Sequence, residues 1–151
     1  SLIVTPHALQ AKPHDWLALT GGSIGQGLPL AIGASIAKPD RPVITLHGDG
    51  GAMYTVQALW TQARENLNIT NIIFSNRSYE ILKIELDRVQ AVETGERAAS
   101  MFSMDNPPID WVNLAESMGV QGYKPKTVKE FKDVFSKSVN ESGPSLIEIE
   151  I

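Results

Sequence analysis

The chain has 151 residues, of which 42% are hydrophobic and 20% are charged, and this size and composition are typical of one globular domain. Its formal charge is −4 and its basic residues are scattered, so neither nucleic acid nor an anionic membrane is an expected partner. The absence of cysteine excludes disulfides, cysteine nucleophiles and thiolate metal sites. No apolar run approaches the roughly 20 residues of a membrane-spanning helix, and we predict a cytoplasmic location.

The start of the sequence predicts that the domain, residues 1–151, is a fragment of a longer polypeptide. The chain begins with serine rather than methionine and enters apparent structure at once. An upstream continuation is therefore expected.

Four β-branched runs that end in turn residues predict strands. They are Trp16–Thr20, Val43–His47, Ile72–Ser75 and Leu146–Ile151. Apolar residues at helical spacing predict helices between them. These residues are Val56, Leu59, Trp60, Ala63 and Leu67, then Trp111, Leu114, Ala115 and Met118, and finally Val128, Phe131, Phe135 and Val139.

The helix ends have their own sequence signals. Asp110 is a predicted N-cap, and Thr127 with Glu130 forms a capping box, while Gly119 and Gly143 are predicted stops. Residues 94–109 have no sustained period and predict a long loop. Strands that alternate with helices imply crossover connections, so we predict an α/β, doubly wound, mainly parallel sheet with helices on both faces.

Polar and glycine residues follow two of the predicted strands, where open parallel sheets bind ligands. Asp49, with Gly50 and Gly51 after it, follows Val43–His47, and Asn76 follows Ile72–Ser75. If the strands are neighbours, their ends are about 5 Å apart, and the two side-chain oxygens can share one Mg²⁺. The glycines and the free N–H groups of the next helix would admit a diphosphate.

These residues resemble a known family. Gly48-Asp49-Gly50, residues 51–75 and Asn76 are similar to the signature of thiamine-diphosphate enzymes, which runs from Gly-Asp-Gly to Asn-Asn. The stretch GGSIGQGLP, residues 21–29, resembles the segment that holds the aminopyrimidine in benzoylformate decarboxylase, pyruvate decarboxylase and acetolactate synthase. Residues 58–60 and 143–148 also look like benzoylformate decarboxylase and acetolactate-synthase-like proteins, so the resemblance spans nearly the whole chain.

The resemblance implies a cofactor site. Thiamine diphosphate with Mg²⁺ is the expected cofactor, and the metal ligands are the Asp49 and Asn76 side chains and the Ser78 carbonyl. The cofactor contacts are expected from Gly22, Ser23, Ile24, Gly48, Gly50, Gly51, Ser78 and Tyr79. Ile24 would prop the cofactor into a V shape, in which its own 4′-imino nitrogen removes the thiazolium C2 proton and the resulting ylid attacks a 2-keto acid.

Two departures from the family pattern concern the metal turn. The second Asn of the family pair is Arg77 here, and Ser78 stands where glycine is common. We expect the metal site to survive and the substrate side to differ. The family's catalytic glutamate comes from a separate pyrimidine-binding domain, usually of a neighbouring subunit, and no residue here matches it, so we assign no catalytic residue to this chain.

The favoured interpretation is the cofactor-binding domain of an acetolactate-synthase-like or benzoylformate-decarboxylase-like enzyme, which decarboxylates or ligates a 2-keto acid. It is expected to be inactive alone and to need a pyrimidine-binding domain of the same or a neighbouring chain, in a homodimer or homotetramer. Two alternatives are a non-catalytic module that holds the cofactor and a Rossmann-type nucleotide-binding domain, whose glycine spacing residues 21–27 lack. His7, His14 and His47 are interpreted as structural or solvated.

Overall fold

The computed structural model describes residues 7–89 and 95–151, in which helices alternate with four strands. In chain order they are α1 Gly27–Ala37, β1 Val43–Gly48, α2 Asp49–Ala52, α3 Ala58–Arg64, β2 Ile69–Ser75, α4 Glu80–Arg88, α5 Glu96–Ser100, α6 Trp111–Ser117, β3 Gln121–Tyr123, α7 Val128–Asn140 and β4 Ser145–Glu150. The three helices predicted from apolar spacing are confirmed as α3, α6 and α7. None of the helices within these two ranges is long and apolar enough to cross a membrane.

The four strands form one parallel sheet in the order β1-β2-β4-β3. Strand β1 pairs with β2 from Val43 opposite Ile69 to Gly48 opposite Phe74, so both strands end at the same edge. The predicted α/β fold is confirmed. The carboxyl ends of β1 and β2 are neighbours, as the predicted metal site requires.

Helices lie on both faces of the sheet, although Ile44 and Leu46 of β1 remain 45% and 40% exposed. On one face, Ile73 and Leu146 join a buried cluster with Leu28 of α1, Leu59 of α3 and Trp111 of α6. The adjacent positions Ile72 and Ile147 are also buried, and successive strand residues point to opposite faces. Helix α7 contacts β2 and β4 but adds no residue to the first cluster, so it covers the second face.

A buried polar network lies within the sheet around Asn71, which is 0% exposed. Its Nδ2 donates to Gln62 Oε1 at 2.7 Å and to the Ser145 carbonyl at 2.9 Å. Its Oδ1 accepts from Thr45 Oγ1 at 3.1 Å and from Gln62 Nε2 at 3.3 Å. Since a shift of one residue would break all of these bonds, the network fixes the register of β1, β2 and β4 and hence where the strands end.

The predicted N-caps Asp110 and Thr127 are confirmed, but the capping box is only half formed, because Glu130 Oε2 accepts from the Lys126 amide instead of the Thr127 amide. Asp110 Oδ1 accepts from the Asn113 amide at 3.0 Å, and Thr127 Oγ1 accepts from the Glu130 amide at 3.2 Å. Val128 is 72% exposed, although at 100° per residue it lies within about 20° of the helical angles of Phe135 and Val139, as predicted. It is the first residue of α7, and the partly buried residues of the helix begin at Phe131.

Two other predicted elements differ from the structure. The predicted strand Trp16–Thr20 is wrong: these residues are exposed, and no described strand pairs with them, so their β-propensity has no sheet to join. The predicted loop 94–109 contains helix α5, whose Ala98 and Ala99 are strong helix formers. Residue 94 and the predicted upstream continuation at Ser1 lie outside the described residues.

Candidate functional site

The Asp49 carboxylate is buried at the carboxyl end of β1, where the side chain is only 2% exposed. Its Oδ1 accepts from the Gly50 amide at 2.8 Å. Its Oδ2 accepts from the Arg77 amide at 2.7 Å and from Ser75 Oγ at 3.3 Å. Because a buried carboxylate is stable only when its oxygens have partners, these bonds hold it in one orientation.

The turn after β2 lies directly against this carboxylate. Asn76 Oδ1 accepts from the Ser78 amide at 3.1 Å, and between them Arg77 has a φ of +53°, in the left-handed region. Among the described residues, no donor bonds to the Ser78 carbonyl, and a Cβ built on Gly50 would lie 3.6 Å from that oxygen. The three predicted metal ligands therefore belong to two motifs that the structure brings together.

A hollow of about 240 Å³ lies between the two motifs. Its walls include most of the predicted site residues, namely Ile24, Gly48, Asp49, Gly50, Gly51, Asn76, Ser78 and Tyr79. A liquid water occupies about 30 Å³, so this space corresponds to about eight waters, enough for a cation with part of its shell and a small anion.

Two close approaches shape this hollow. A Cβ on Gly50 would lie 2.8 Å from Cδ1 of Tyr79, so the Tyr79 ring packs where a side chain at position 50 would be. A Cβ on Gly51 would lie 3.8 Å from Cγ2 of Ile24, which places the exposed Ile24 side chain beside the Asp49 motif. The glycines allow backbone and side chains to come together here.

The glycine-rich segment is a series of turns before α1. Gly21, Gly22 and Gly25 have φ of +61°, +68° and +88°, and the Gly25 carbonyl accepts from Thr55 Oγ1 at 2.6 Å. Gly22 and Ser23 are exposed and do not line the 240 Å³ hollow. Of the predicted site residues, these two are the ones the structure leaves outside it.

A second, larger hollow of about 720 Å³ lies between residues 15–19, α1 and β1. It reaches Ile24, Gly48 and Gly51 but neither Asp49 nor Asn76. The larger hollow lacks the side-chain oxygens of Asp49 and Asn76 that could bind a metal. We therefore locate the site in the smaller hollow.

The histidines lie apart from the oxygen donors. The His47 ring packs against Gly27, where an added Cβ would overlap Nε2, and burial lowers the pKa of His47. His14 Nδ1 is 2.8 Å from the Lys12 carbonyl. In the part of the chain that the structure describes, no three His, Cys, Asp or Glu residues cluster as a metal site. A cation at Asp49 would therefore take its other ligands from amide or carbonyl oxygens of the protein, from its own ligand or from water.

An ion-pair network beside the turn was not predicted. The Arg77 guanidinium bonds to Glu150 and lies 3.6 Å from Asp105 Oδ1. Lys124 Nζ lies 2.9 Å from Glu150 Oε1 and 3.1 Å from Oε2 of the buried Glu148.

Ser75 was also not predicted as a site residue, although it is the last residue of β2. Its hydrogen bond to Asp49 depends on the strand register, which the sequence does not show.

Acid should weaken this network through Glu150. Its pKa is lowered to about 2, first by the hydrogen bond from Lys124 and then by that from Arg77. A lowered folded-state pKa means that the stabilisation is complete above the ordinary value of 4.5 and is lost as the pH falls towards 2. We expect Glu150→Gln to reduce the fall in melting temperature over this interval, measured by circular dichroism, with Glu65→Gln as control. Equal acid profiles for Glu150→Gln and the unsubstituted protein would contradict this assignment.

The chain matches a known protein family over almost its whole length. The family described as "Thiamine pyrophosphate enzyme, C-terminal TPP binding domain" matches residues 2–149, thiamine pyrophosphate being another name for thiamine diphosphate. The chain belongs to this family. The resemblance inferred from the Gly48-Asp49-Gly50 and Asn76 motifs is confirmed, and so is thiamine diphosphate as the cofactor of the family.

Two relatives are similar to the chain over almost its full length. "Putative acetolactate synthase large subunit IlvX" of Mycobacterium tuberculosis is 47% identical over 149 residues, which cover 97% of this chain and 29% of that protein. Benzoylformate decarboxylase of Pseudomonas aeruginosa is 29% identical, covering 91% of this chain and 25% of that protein. The chain thus spans less than a third of the length of these relatives.

A solved structure gives the same picture of the TPP-binding domain. The thiamine diphosphate-dependent 4-hydroxybenzoylformate decarboxylase of Rhodococcus jostii superposes with a TM-score of 0.73 at 37% identity, covering 84% of this chain and 23% of that one. The α/β fold of the TPP-binding domain is therefore shared with a decarboxylase of known structure.

Proposed function

We propose that this domain, one part of a longer multidomain chain, binds the Mg²⁺-diphosphate end of thiamine diphosphate in an enzyme that decarboxylates or ligates 2-keto acids. The 2.7 Å hydrogen bond from the Arg77 amide to Asp49 Oδ2 carries the proposal, because it puts the carboxylate against the Asn76–Ser78 turn. The named activities of the acetolactate synthase and benzoylformate decarboxylase relatives support the reaction class.

The metal would be held by the Asp49 carboxylate, the Asn76 amide oxygen and the Ser78 carbonyl. These are hard oxygen donors of the kind Mg²⁺ prefers, and Mg²⁺ commonly fills its other positions with phosphate oxygens and waters. No described residue donates a hydrogen bond to the Ser78 carbonyl, which supports the assignment of this oxygen as a metal ligand. Asp49 would supply the negative charge of this protein ligand set.

The cofactor's other contacts would come from backbone and apolar groups. Gly48, Gly50 and Gly51 would let the diphosphate approach the backbone, and Tyr79 lies against Gly50. Ile24 would support the bent cofactor, with Gly22 and Ser23 at the aminopyrimidine. When bound, thiamine diphosphate supplies the nucleophilic carbon for attack on a 2-keto carbonyl.

Proton transfer would need a group from outside this domain. Besides Asp49, the acidic residue that lines the hollow is Glu80, whose Oε2 accepts from Ser78 Oγ at 3.2 Å and lies 3.2 Å from Lys83 Nζ. We therefore assign proton transfer to a pyrimidine-binding domain of the same or a neighbouring chain, and we propose a cytoplasmic homodimer or homotetramer. The small share of each relative that this chain spans supports further domains.

The test is metal-dependent cofactor binding by the full-length protein. Calorimetric titration should give saturable binding of thiamine diphosphate with Mg²⁺, and EDTA should abolish it, because the diphosphate and the protein share the cation. Release of carbon dioxide from pyruvate or benzoylformate, or their ligation, would identify an enzyme. Cofactor binding without turnover of any 2-keto acid would indicate the non-catalytic module, and saturable NADH binding instead would contradict the proposal.

A further inference from the structure

The turn that carries two proposed metal ligands has an unusual backbone. Arg77 adopts a φ of +53°, a region that side chains other than glycine, asparagine and aspartate seldom occupy. In this conformation its N–H reaches Asp49 Oδ2. Something must therefore hold the turn in a shape that its sequence does not favour.

The Arg77 side chain provides that restraint. The guanidinium bonds to Glu150, the last residue of β4, whose Cα is the register partner of Ser75. Glu150 is in turn held by Lys124 at 2.9 Å and by Lys126 at 3.6 Å. The turn, which follows β2 directly, is thus tied through one side chain to the end of β4.

The position of this ion pair separates it from direct cofactor contact. Neither Arg77 nor Glu150 lines the 240 Å³ hollow, whereas the residues on either side of Arg77, Asn76 and Ser78, do. The side chain points away from the hollow while the backbone of the same residue faces Asp49. Arg77 therefore connects the ion-pair network outside the hollow to Asp49, a proposed metal ligand inside it.

We propose that Arg77 is a positioning residue, whose ion pair with Glu150 keeps its own amide on Asp49 and thereby sets the affinity for Mg²⁺ and thiamine diphosphate. This inference rests on the proposed function. Residues that orient metal ligands commonly change metal affinity by about 10- to 100-fold when they are replaced. Because the pair is partly exposed, we expect the lower end of that range.

The test compares variants that separate the backbone from the side chain. Arg77→Ala removes the ion pair and still disfavours the left-handed backbone, whereas Arg77→Gly removes the pair but accepts that backbone. Glu150→Gln leaves Arg77 in place, and Arg77→Lys keeps a charge. Glu65→Gln, which breaks the Arg64 ion pair at the other end of β2, is the matched control. Dissociation constants for thiamine diphosphate and for Mg²⁺ are measured by calorimetry on the full-length protein, together with the melting temperature without cofactor.

Arg77→Ala and Glu150→Gln are each expected to weaken cofactor binding by about 10-fold, with partial rescue in Arg77→Gly and Arg77→Lys and no change in Glu65→Gln. The double variant Arg77→Ala with Glu150→Gln should be no weaker than either single one, because both remove the same contact. Wild-type affinity in Arg77→Ala, or a lower melting temperature with unchanged affinity in that variant, would overturn the inference alone. If the unsubstituted protein showed no Mg²⁺-dependent binding, the proposed function would fall and the inference with it.

Discussion

Asp49→Asn is expected to weaken Mg²⁺-dependent binding of thiamine diphosphate by about 100-fold or more, the upper end of the range for residues around a metal. The substitution removes the carboxylate charge. It also turns one acceptor oxygen into an amide that cannot accept from Gly50 or Arg77, so the remaining oxygen loses its fixed orientation. Calorimetric titration of the full-length protein at saturating Mg²⁺ measures the effect.

Asp40→Asn is the matched control for this prediction. Asp40 is exposed and precedes β1, at the opposite end of the strand from Asp49. It should bind the cofactor like the unsubstituted protein. An unchanged dissociation constant in Asp49→Asn, or an equal loss in both variants, would remove Asp49 from the metal site.

Asn71→Ala is expected to lower the free energy of unfolding by about 3 kcal/mol, because a buried donor or acceptor left without a partner costs about 1–3 kcal/mol. The substitution leaves Gln62, itself fully buried, without its 2.7 Å partner and deprives Thr45 of its acceptor. Urea unfolding followed by circular dichroism gives the value. Since the network fixes the register that brings Asn76 to Asp49, cofactor affinity should fall as well.

Two further variants make this result specific. Asn140→Ala removes an exposed amide at the end of α7 and should change stability by about 0.5 kcal/mol or less. Replacing both Gln62 and Asn71 by leucine removes donors and acceptors together, so it should cost less than the sum of the two single substitutions. Strictly additive losses would show that the two side chains do not act as a unit.

The centre of the candidate site was predictable because it depends on a local pattern and one general rule. Strand residues before Gly48 and Asn76 identify two strands, and parallel strands deliver their following residues to one edge. The remaining assumption, that the two strands are neighbours, is confirmed by their pairing from Val43 to Gly48. The metal itself and the roles of single site residues stay predictions.

The residues that the sequence did not reveal are joined by contacts between distant parts of the chain. Arg77 and Glu150 are 73 positions apart and meet because Ser75 and Glu150 are register partners. Neither apolar period nor motif spacing contains this information. The same holds for Ser75, whose hydroxyl matters only once β1 and β2 are aligned.

The wrong elements have local causes. Residues 16–20 have the composition of a strand, but strand formation depends on a partner that composition does not specify. Helix α5 is only five residues long, too short for a helical period to appear in the sequence. For residues 16–20 the local signal was present but had no partner strand, and for α5 the helix formed without a detectable local signal.

The three hydrogen bonds to Asp49 have a consequence for how the site responds to heat and to the arrival of a ligand. A carboxylate already fixed by the folded backbone has little rotational entropy left to lose on coordination, which favours tight association. Because Ser75 and Arg77 at the end of β2 donate two of these bonds, the site keeps its geometry only as long as β1 and β2 stay paired. Cofactor release on warming should therefore coincide with melting of that strand pair rather than precede it.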